Sequence, residues 1–485
     1  MTIDSRKLTA ANLVYCYIPV ALFLAGWCRW IISIPCLLLL GFLFYRLYTR
    51  KDRLEAASPV SIDRKLLIGI GVVSALMALI FGYGGIFAEF NDYEKHAAMV
   101  QDLSRHSWPV IYDDAANPSM MTYYIGSYLF PGLIGKIFSS RIVAELALGV
   151  VGWLGMLLLF ANILHLTQAA TRKQQIGALT VYLLFIGMLL PLQLLTHKFN
   201  PDVTIGYPHW FTYQWLQYRS SMVCLKWIWP QYFIPILGMI MLYQQRDARH
   251  LYAVWVLPAL LCGTWGFVTL MGYIAAYYLI SCLRDKKIHW DILSWQNVVC
   301  GVIGVLVLIY LAGGLGTEKP DELQFRFISD WKYYLISYIP FCLFMFGFYF
   351  MLIWKGSDRD AFFYITLGLL CVIPFFRAGL FNDWTMGTSM PAYFMLCIYC
   401  IRFLLQQASV QAMRKRWIAL LICLSLSVPF PLYEWYNTFR YSGIPAKTLA
   451  DYSCLECEDI AIDLRTNYFT YDYQESLFYK YIARR

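Results

Sequence analysis

The chain has 485 residues, of which 60% are hydrophobic, 18% aromatic and only 14% charged. A soluble globular chain carries about 45–50% apolar and about 25% charged residues, so this composition excludes an ordinary cytosolic enzyme, a disordered chain and a disulfide-stapled secreted domain. The net charge of +9 is the surplus that a polytopic membrane protein gathers in its inner loops, and we expect no nucleic acid among its partners.

Spanning the hydrocarbon takes roughly 20 apolar residues per helix. Apolar segments run over 12–28, 31–47, 66–88, 141–164, 176–196, 230–243, 251–264, 266–283, 297–315, 334–354, 362–378, 391–405 and 417–436. The expected fold class is therefore an all-α polytopic membrane protein of about 13 transmembrane helices. No cleavable leader is expected, because the first apolar stretch runs straight into a hairpin at Trp27-Cys28-Arg29-Trp30. One set of connections holds Arg6, Lys7, Arg46, Arg50, Lys51, Arg53, Arg64, Lys65, Arg172, Lys173, Arg246 and Arg249. The same set continues with Arg284, Lys286, Lys287, Lys355, Arg359, Arg402, Arg414, Lys415 and Arg416. By the bias of short inner loops towards Lys and Arg, that side is cytoplasmic, with the N-terminus inside and the C-terminus periplasmic or extracellular.

Residues 1–436 then form the membrane domain, with a first outer loop at 89–140, a second at 197–229 and a short acidic one at 316–333. The tail 437–485 is too short for an independent domain and is expected to fold back over the outer end. A transporter or channel places polar residues inside its helices, whereas the ionisable residues of these spans, Glu145, Arg377 and Glu434, lie near outer ends. No internal repeat of the transporter kind is visible. The polar chemistry is expected at one interface.

In the first outer loop, Ala97, Val100 and Leu103/Ser104 follow Tyr93 at helical spacing, which reads as an amphipathic surface helix. Asp92 precedes it and suits an N-cap, and Glu94 suits the dipole of the first turn; capping alone accounts for both. Trp108-Pro109 and the turn at Asp113-Asp114 lead to 123–138, a second, partly embedded surface helix with Tyr123 and Tyr124 at headgroup level.

A span ending in an outward Asp, a surface helix, a Trp-Pro turn, a Tyr-Tyr helix ending in Gly135-Lys136, and Arg141 opening the next span together resemble the GT-C glycosyltransferases. The likeness is to the branch of protein O-mannosyltransferases and lipid A aminoarabinose transferases. It covers residues 66–170 by pattern and the rest through topology. In place of that branch's Asp-Glu pair the chain has Asp92 and Glu94, and in place of its Pro-Pro-Leu it has Ser119-Met120-Met121-Thr122-Tyr123-Tyr124. The resemblance implies a GT-C-like fold, Asp92 as catalytic base with Glu94 beside it, and Arg377 against the phosphate of a polyprenyl-phosphate sugar. It also implies a bacterial inner membrane.

The second outer loop mixes Lys198, Arg219 and Lys226 with Trp210, Trp215 and Trp227, and Gln231 follows at the start of a span. Aromatic rings stack on sugar faces and cations hold phosphates, although an interfacial aromatic belt with snorkelling cations has the same composition. Asp383, beside Asn382 and Trp384, is a further substrate-binding candidate or a loop cap, and Lys480 is a phosphate candidate or a free surface lysine. Cys454 and Cys457 form an outward CxxC, and no zinc-ligand spacing is present. No cofactor is implied, and a divalent cation stays open. With no nucleotide-binding motif, the donor sugar is expected on a lipid phosphate. The expected activity is inverting transfer from that donor to a glycan, lipid or protein acceptor of the cell envelope. An O-antigen polymerase or ligase, served by Arg219, Arg326 and Arg377, and a flippase for a lipid-linked glycan are the alternatives.

Overall fold

A computed structural model describes residues 2–49, 60–85, 91–112, 118–199, 215–313, 325–379, 381–441 and 468–484. The chain is a helical bundle. Its first thirteen helices are α1 (Ser5–Trp27), α2 (Trp30–Thr49), α3 (Arg64–Ile80), α4 (Asn91–Arg105), α5 (Gly126–Phe138), α6 (Arg141–Thr167) and α7 (Arg172–Leu184), then α8 (Leu189–Phe199), α9 (Ser221–Trp227), α10 (Trp229–Gln244), α11 (Tyr252–Cys262), α12 (Thr264–Asp285) and α13 (Trp295–Ala312). Further helices cover Trp331–Ile353, Ala361–Phe375, Asp383–Gln407 and Gln411–Arg440. The strands are short: β1 (Thr2–Ile3), β2 (Val60–Ser61), β3 (Ile111–Tyr112), β4 (Ser119–Met121), β5 (Arg326–Phe327), β6 (Phe376–Arg377) and β7 (Phe469–Tyr471). Among the described residues, 9 helices are long and apolar enough to cross a membrane, so the protein is an all-α polytopic membrane protein.

A helix lies over each of the thirteen apolar segments, but four fall short of that criterion. At 17, 16 and 11 residues, α3, α10 and α11 are shorter, as is Ala361–Phe375. At 1.5 Å per residue α11 extends only about 17 Å, little more than half of the hydrocarbon core of about 30 Å.

Hydrogen bonds sort the connections into two groups at opposite ends of α1. At the N-terminal end β1 pairs with β2, and Gln175 donates to Ser61 O at 2.8 Å. Arg402 donates to Leu166 O and to the Tyr243 hydroxyl, Arg249 meets Asp291 at 3.2 Å, and Tyr399 donates to Asp360. These are the connections in which the sequence concentrates Lys and Arg. At the other end β7 adds to β4, Arg484 N donates to Trp27 O, and Arg29 donates to the carbonyls of Lys480 and Ala483. The described part of the tail, Tyr468–Arg484, thus lies back against the far end of α1.

The helix α4 begins at Asn91, which puts Asp92 inside the first turn rather than at the cap. Ala97, Val100 and Leu103 are buried, as their spacing suggests. The buried face also holds Gln101 and Asp102, and Asp102 accepts a hydrogen bond of 2.6 Å from the Tyr112 hydroxyl. The 13-residue α5 packs on α4 through Gly132 and Gly135, where a Cβ would meet Leu103 and Ser104.

The segment 176–196 is not one helix. Between α7 and α8 the residues Phe185–Met188 leave helical geometry. Non-helical backbone at membrane depth persists only where protein satisfies its polar groups. Ser221 N donates to Phe185 O at 3.2 Å, Tyr349 Oη to Ile186 O at 3.0 Å and Met188 N to Phe344 O at 3.0 Å. Gly187 makes this docking feasible, since a Cβ there would lie 2.6 Å from Met345 Cα and 2.7 Å from its carbonyl oxygen. Gly187→Ala is expected to lower the thermal midpoint of the purified protein, in line with overpacking costs of about 1–3 kcal/mol. Gly177→Ala, inside α7 where a Cβ meets nothing within 4 Å, is the control that should not lower the midpoint and should raise it slightly, since Ala is the better helix former.

Candidate functional site

The C-terminal end gathers most of the polar and aromatic groups that the sequence singled out, and the chain turn at Gly263 organises them. A Cβ on Gly263 would lie 2.5 Å from Gln231 O and 2.9 Å from Pro235 Cγ; only glycine lets the turn between α11 and α12 press so closely on the start of α10. Gln231 Nε2 then donates to the Tyr124 hydroxyl at 2.7 Å, and Tyr123 donates to the same hydroxyl. The Tyr123 ring packs against those of Tyr124 and Tyr468, with centroids 3.5 and 4.6 Å away. Its backbone N–H donates to the Tyr310 hydroxyl at 3.1 Å. Ser127 Oγ donates to Pro230 O at 2.5 Å, which fixes α5 on α10. Three residues singled out in sequence, Tyr123, Tyr124 and Gln231, therefore form one network that the β7 tail closes from above through Tyr468.

Trp265, two residues beyond Gly263, belongs to a second aromatic group. Its ring meets Trp384 edge-on at 5.6 Å, and Trp384 in turn meets Phe325 at 4.8 Å. Trp384 Nε1 donates to Ile373 O at 2.9 Å. Arg377 lies in β6 and Asp383 at the start of the following helix, which Asn382 caps through Thr385 N. Gly379, at φ +80°, brings the connecting loop onto the Asp383 carboxylate, where a Cβ would collide. Tyr123, Tyr124, Gln231, Trp265, Asp383, Trp384 and Arg377 are all partly exposed. Burial and the neighbouring phenols of Tyr124 and Tyr468 push the Tyr123 phenol well above its usual range. It stays protonated at neutral pH, as its hydrogen bond to Tyr124 requires.

The other predicted residues are dispersed. Arg219 lines a small cavity below the surface with Ser221, Cys224, Tyr232, Ser389 and Tyr393, walled by Phe185, Met390 and Phe394. Lys198 is exposed at the end of α8. Lys480 is paired with Glu475 at 2.6 Å, so a phosphate there would compete with an existing carboxylate. Asp92 and Glu94 fall in the first turn of α4, but their side chains lie outside the described residues, as do Trp210, Cys454 and Cys457. Among the described residues no group of His, Cys, Asp and Glu is placed to hold a metal ion.

Sequence reasoning missed two features of this end. His96 Nδ1 is hydrogen-bonded to the Tyr128 hydroxyl at 2.5 Å, joining α4 to α5. Lys226 of α9 is buried with Glu434, 3.3 Å away, their side chains 1% and 2% exposed. The indole N–H of Trp227 also donates to Glu434, at 3.1 Å, while the Lys226 ammonium lies 4.9 Å from the Trp227 ring. Burial pulls the Lys226 ammonium down from its usual range, and Glu434 opposes that shift. The partners stand 208 positions apart, and no local pattern links them.

Removing one member of a buried ion pair strands the other charge at a cost of about 3–5 kcal/mol, whereas replacing both with apolar residues is often neutral. Lys226→Met and Glu434→Leu should each lower the thermal midpoint sharply, and the double variant should recover most of the loss. Additive losses in this double-mutant cycle would show that the pair is not coupled. Compared with protein-family models, with curated proteins and with solved structures, the chain matches none.

Proposed function

We propose that the chain is a membrane glycosyltransferase of the GT-C type, moving a sugar from a polyprenyl-phosphate donor to a glycan, lipid or protein acceptor of the cell envelope. On this reading it sits in a bacterial inner membrane with thirteen crossings, the four shorter helices included, and its C-terminal end faces outward. The observation that supports the reading best is the joined array of Tyr468, Tyr123, Tyr124 and Gln231, at the end opposite the basic loops, with a second aromatic pair at Trp265 and Trp384. Phenol and indole faces stack on sugar rings, while phenolic hydroxyls and a carboxamide match the donors and acceptors of sugar hydroxyls. Arg377 supplies positive charge for a phosphate at this end.

In the proposed reaction the Asp92 carboxylate takes the proton of an acceptor hydroxyl. The acceptor oxygen bonds to the anomeric carbon as the bond from that carbon to the phosphate oxygen breaks. The bonding pair leaves with the phosphate, and the configuration inverts. Base assistance of this kind contributes about 10²–10⁴-fold, and cations at the departing phosphate stabilise charge that grows in the transition state.

Asp92→Asn should therefore lower transfer by about 10²–10⁴-fold in membranes holding an unchanged amount of protein, read by mass spectrometry of envelope glycans. Wild-type transfer by this variant would remove Asp92 from the mechanism. For the orientation, an impermeant thiol reagent applied to intact cells should label a cysteine placed at Glu475 and spare one at Lys286, above the background of the unmodified chain. The opposite pattern would invert the topology and place the aromatic surface in the cytosol.

A further inference from the structure

Both α12 and α13 are long and apolar enough to cross a membrane, so the connection between them, residues 286–294, meets a bilayer boundary. It lies at the end that holds the basic connections, where Arg249 pairs with Asp291 at 3.2 Å. Lys286 follows α12 in the left-handed conformation at φ +50°, and Lys287 N donates to Cys282 O at 3.2 Å. Glycine is the usual residue at such a helix end, because a Cβ is unfavourable there; this chain carries a lysine. Further along, the connection is held from both sides. The Tyr278 hydroxyl donates to His289 O at 3.3 Å and the Ser294 hydroxyl to His250 O at 2.7 Å. Asn297 Nδ2 donates to Arg249 O and Ile292 O at 2.8 and 2.9 Å.

With its backbone fastened in this way, the connection still turns its large apolar side chains outward. Leu283 at the end of α12 is 69% exposed, and Ile288, Trp290 and Leu293 are 61%, 69% and 66% exposed. They prolong the exposed apolar faces of the flanking helices, which carry Leu279 on α12 and Val298 and Val302 on α13. Such a group is favourable where acyl chains meet headgroups, the indole ring especially. The charges beside it are unevenly matched. Asp285 is bonded to Arg284 and to His289, both at 2.9 Å, and Asp291 to Arg249. Lys286 and Lys287 are exposed and, among the described residues, enter no ion pair. Both neighbouring carboxylates are thus occupied, while two adjacent ammonium groups are unopposed.

We propose that the connection between α12 and α13 binds an acidic phospholipid of the adjoining leaflet, with Lys286 and Lys287 at the headgroup phosphate and Ile288, Trp290 and Leu293 against the acyl chains. This site is independent of the glycosyl-transfer reading. Charge complementarity selects the occupant: a zwitterionic headgroup carries its own ammonium, which the lysines repel, whereas an acidic headgroup carries only the attracting charge. A free phosphate would meet the lysines but leave the apolar side chains in water.

Full-length protein in dodecyl maltoside, titrated with phosphatidylglycerol or phosphatidylcholine and read by native mass spectrometry, tests this. The unmodified chain should bind phosphatidylglycerol more tightly. Lys286→Gln and Lys287→Gln should each weaken that binding about fivefold and leave phosphatidylcholine unaffected. Lys286→Gly relieves the left-handed backbone and should show the same loss, which misfolding then does not explain; Lys286→Arg should retain the affinity. Trp290→Ala should weaken both lipids. Equal affinity for the two lipids, or phosphatidylglycerol binding undiminished in both Gln variants, overturns the proposal. Glycerol phosphate competing as well as phosphatidylglycerol would overturn the lipid assignment. A dimer of the unmodified chain that Trp290→Ala disperses would give the apolar patch to a second copy and overturn it too.

Discussion

The polar end of the bundle depends on how closely two pieces of backbone approach at Gly263. The turn joining α11 to α12 is held against the carbonyl of Gln231, with space for a hydrogen and none for a methyl group. That contact fixes the height of α10 relative to α11, and with it the position of the Gln231 carboxamide under Tyr124. Gly126 and Cys262 are packed in the same way, since a Cβ on Gly126 would collide with the Cys262 sulfur. The first turn of α5 is thereby set on the same point. The tyrosine network is a consequence of backbone packing beneath it, and its geometry would shift with any side chain inserted at that turn.

Hydrocarbon imposes a second constraint, that every buried backbone polar group finds a partner. Most of the chain meets it by ordinary helix geometry. The exceptions cluster: the interruption at Phe185–Met188 faces the Trp331–Ile353 helix, which itself widens into π turns at Tyr334–Tyr338 and Leu343–Gly347 on either side of Pro340. Proline gives no N–H to the preceding turn, and single π turns accommodate such an interruption. Tyr349 and Phe344 of this irregular helix partner the interrupted segment, so two irregular stretches complete each other. The Arg219 cavity borders the same place through Phe185.

The division of the chain into helices was legible in the sequence because burying apolar surface and satisfying backbone groups are local demands. Helices lie over the apolar runs, although 176–196 is divided between α7 and α8, and the stripe Ala97, Val100 and Leu103 became the buried side of α4. The charge bias separated the connections into the two groups that hydrogen bonds later joined, as with Gln175 and Ser61 at one end and Arg29 and Lys480 at the other. The tyrosine pair was legible too, since Tyr123, Tyr124 and Gln231 are polar groups beside apolar runs. What sequence could not reveal depends on long-range register. Lys226 and Glu434, or Arg326 and Arg377, become neighbours only when distant helices and strands dock. The break at Phe185 was masked by a run of apolar residues on both sides, with Gly187 and Pro191 its local signs.

The cations of the C-terminal end divide by what opposes them. Lys226 faces Glu434 in a buried pair, Arg141 faces Glu145 at 2.7 Å one turn along α6, and Lys480 faces Glu475 at the surface. In each of these the neighbouring carboxylate offsets the charge, and a phosphate would have to displace it. Arg326 lies opposite Arg377 in the register of β5 and β6. A strand pair of two residues has little hydrogen bonding with which to hold such a register; the stacked rings of Phe325, Phe327 and Phe376 do most of it. Because those rings also reach Trp384, the contacts that hold the strand pair in register are the same ones that join it to the helix beginning at Asp383.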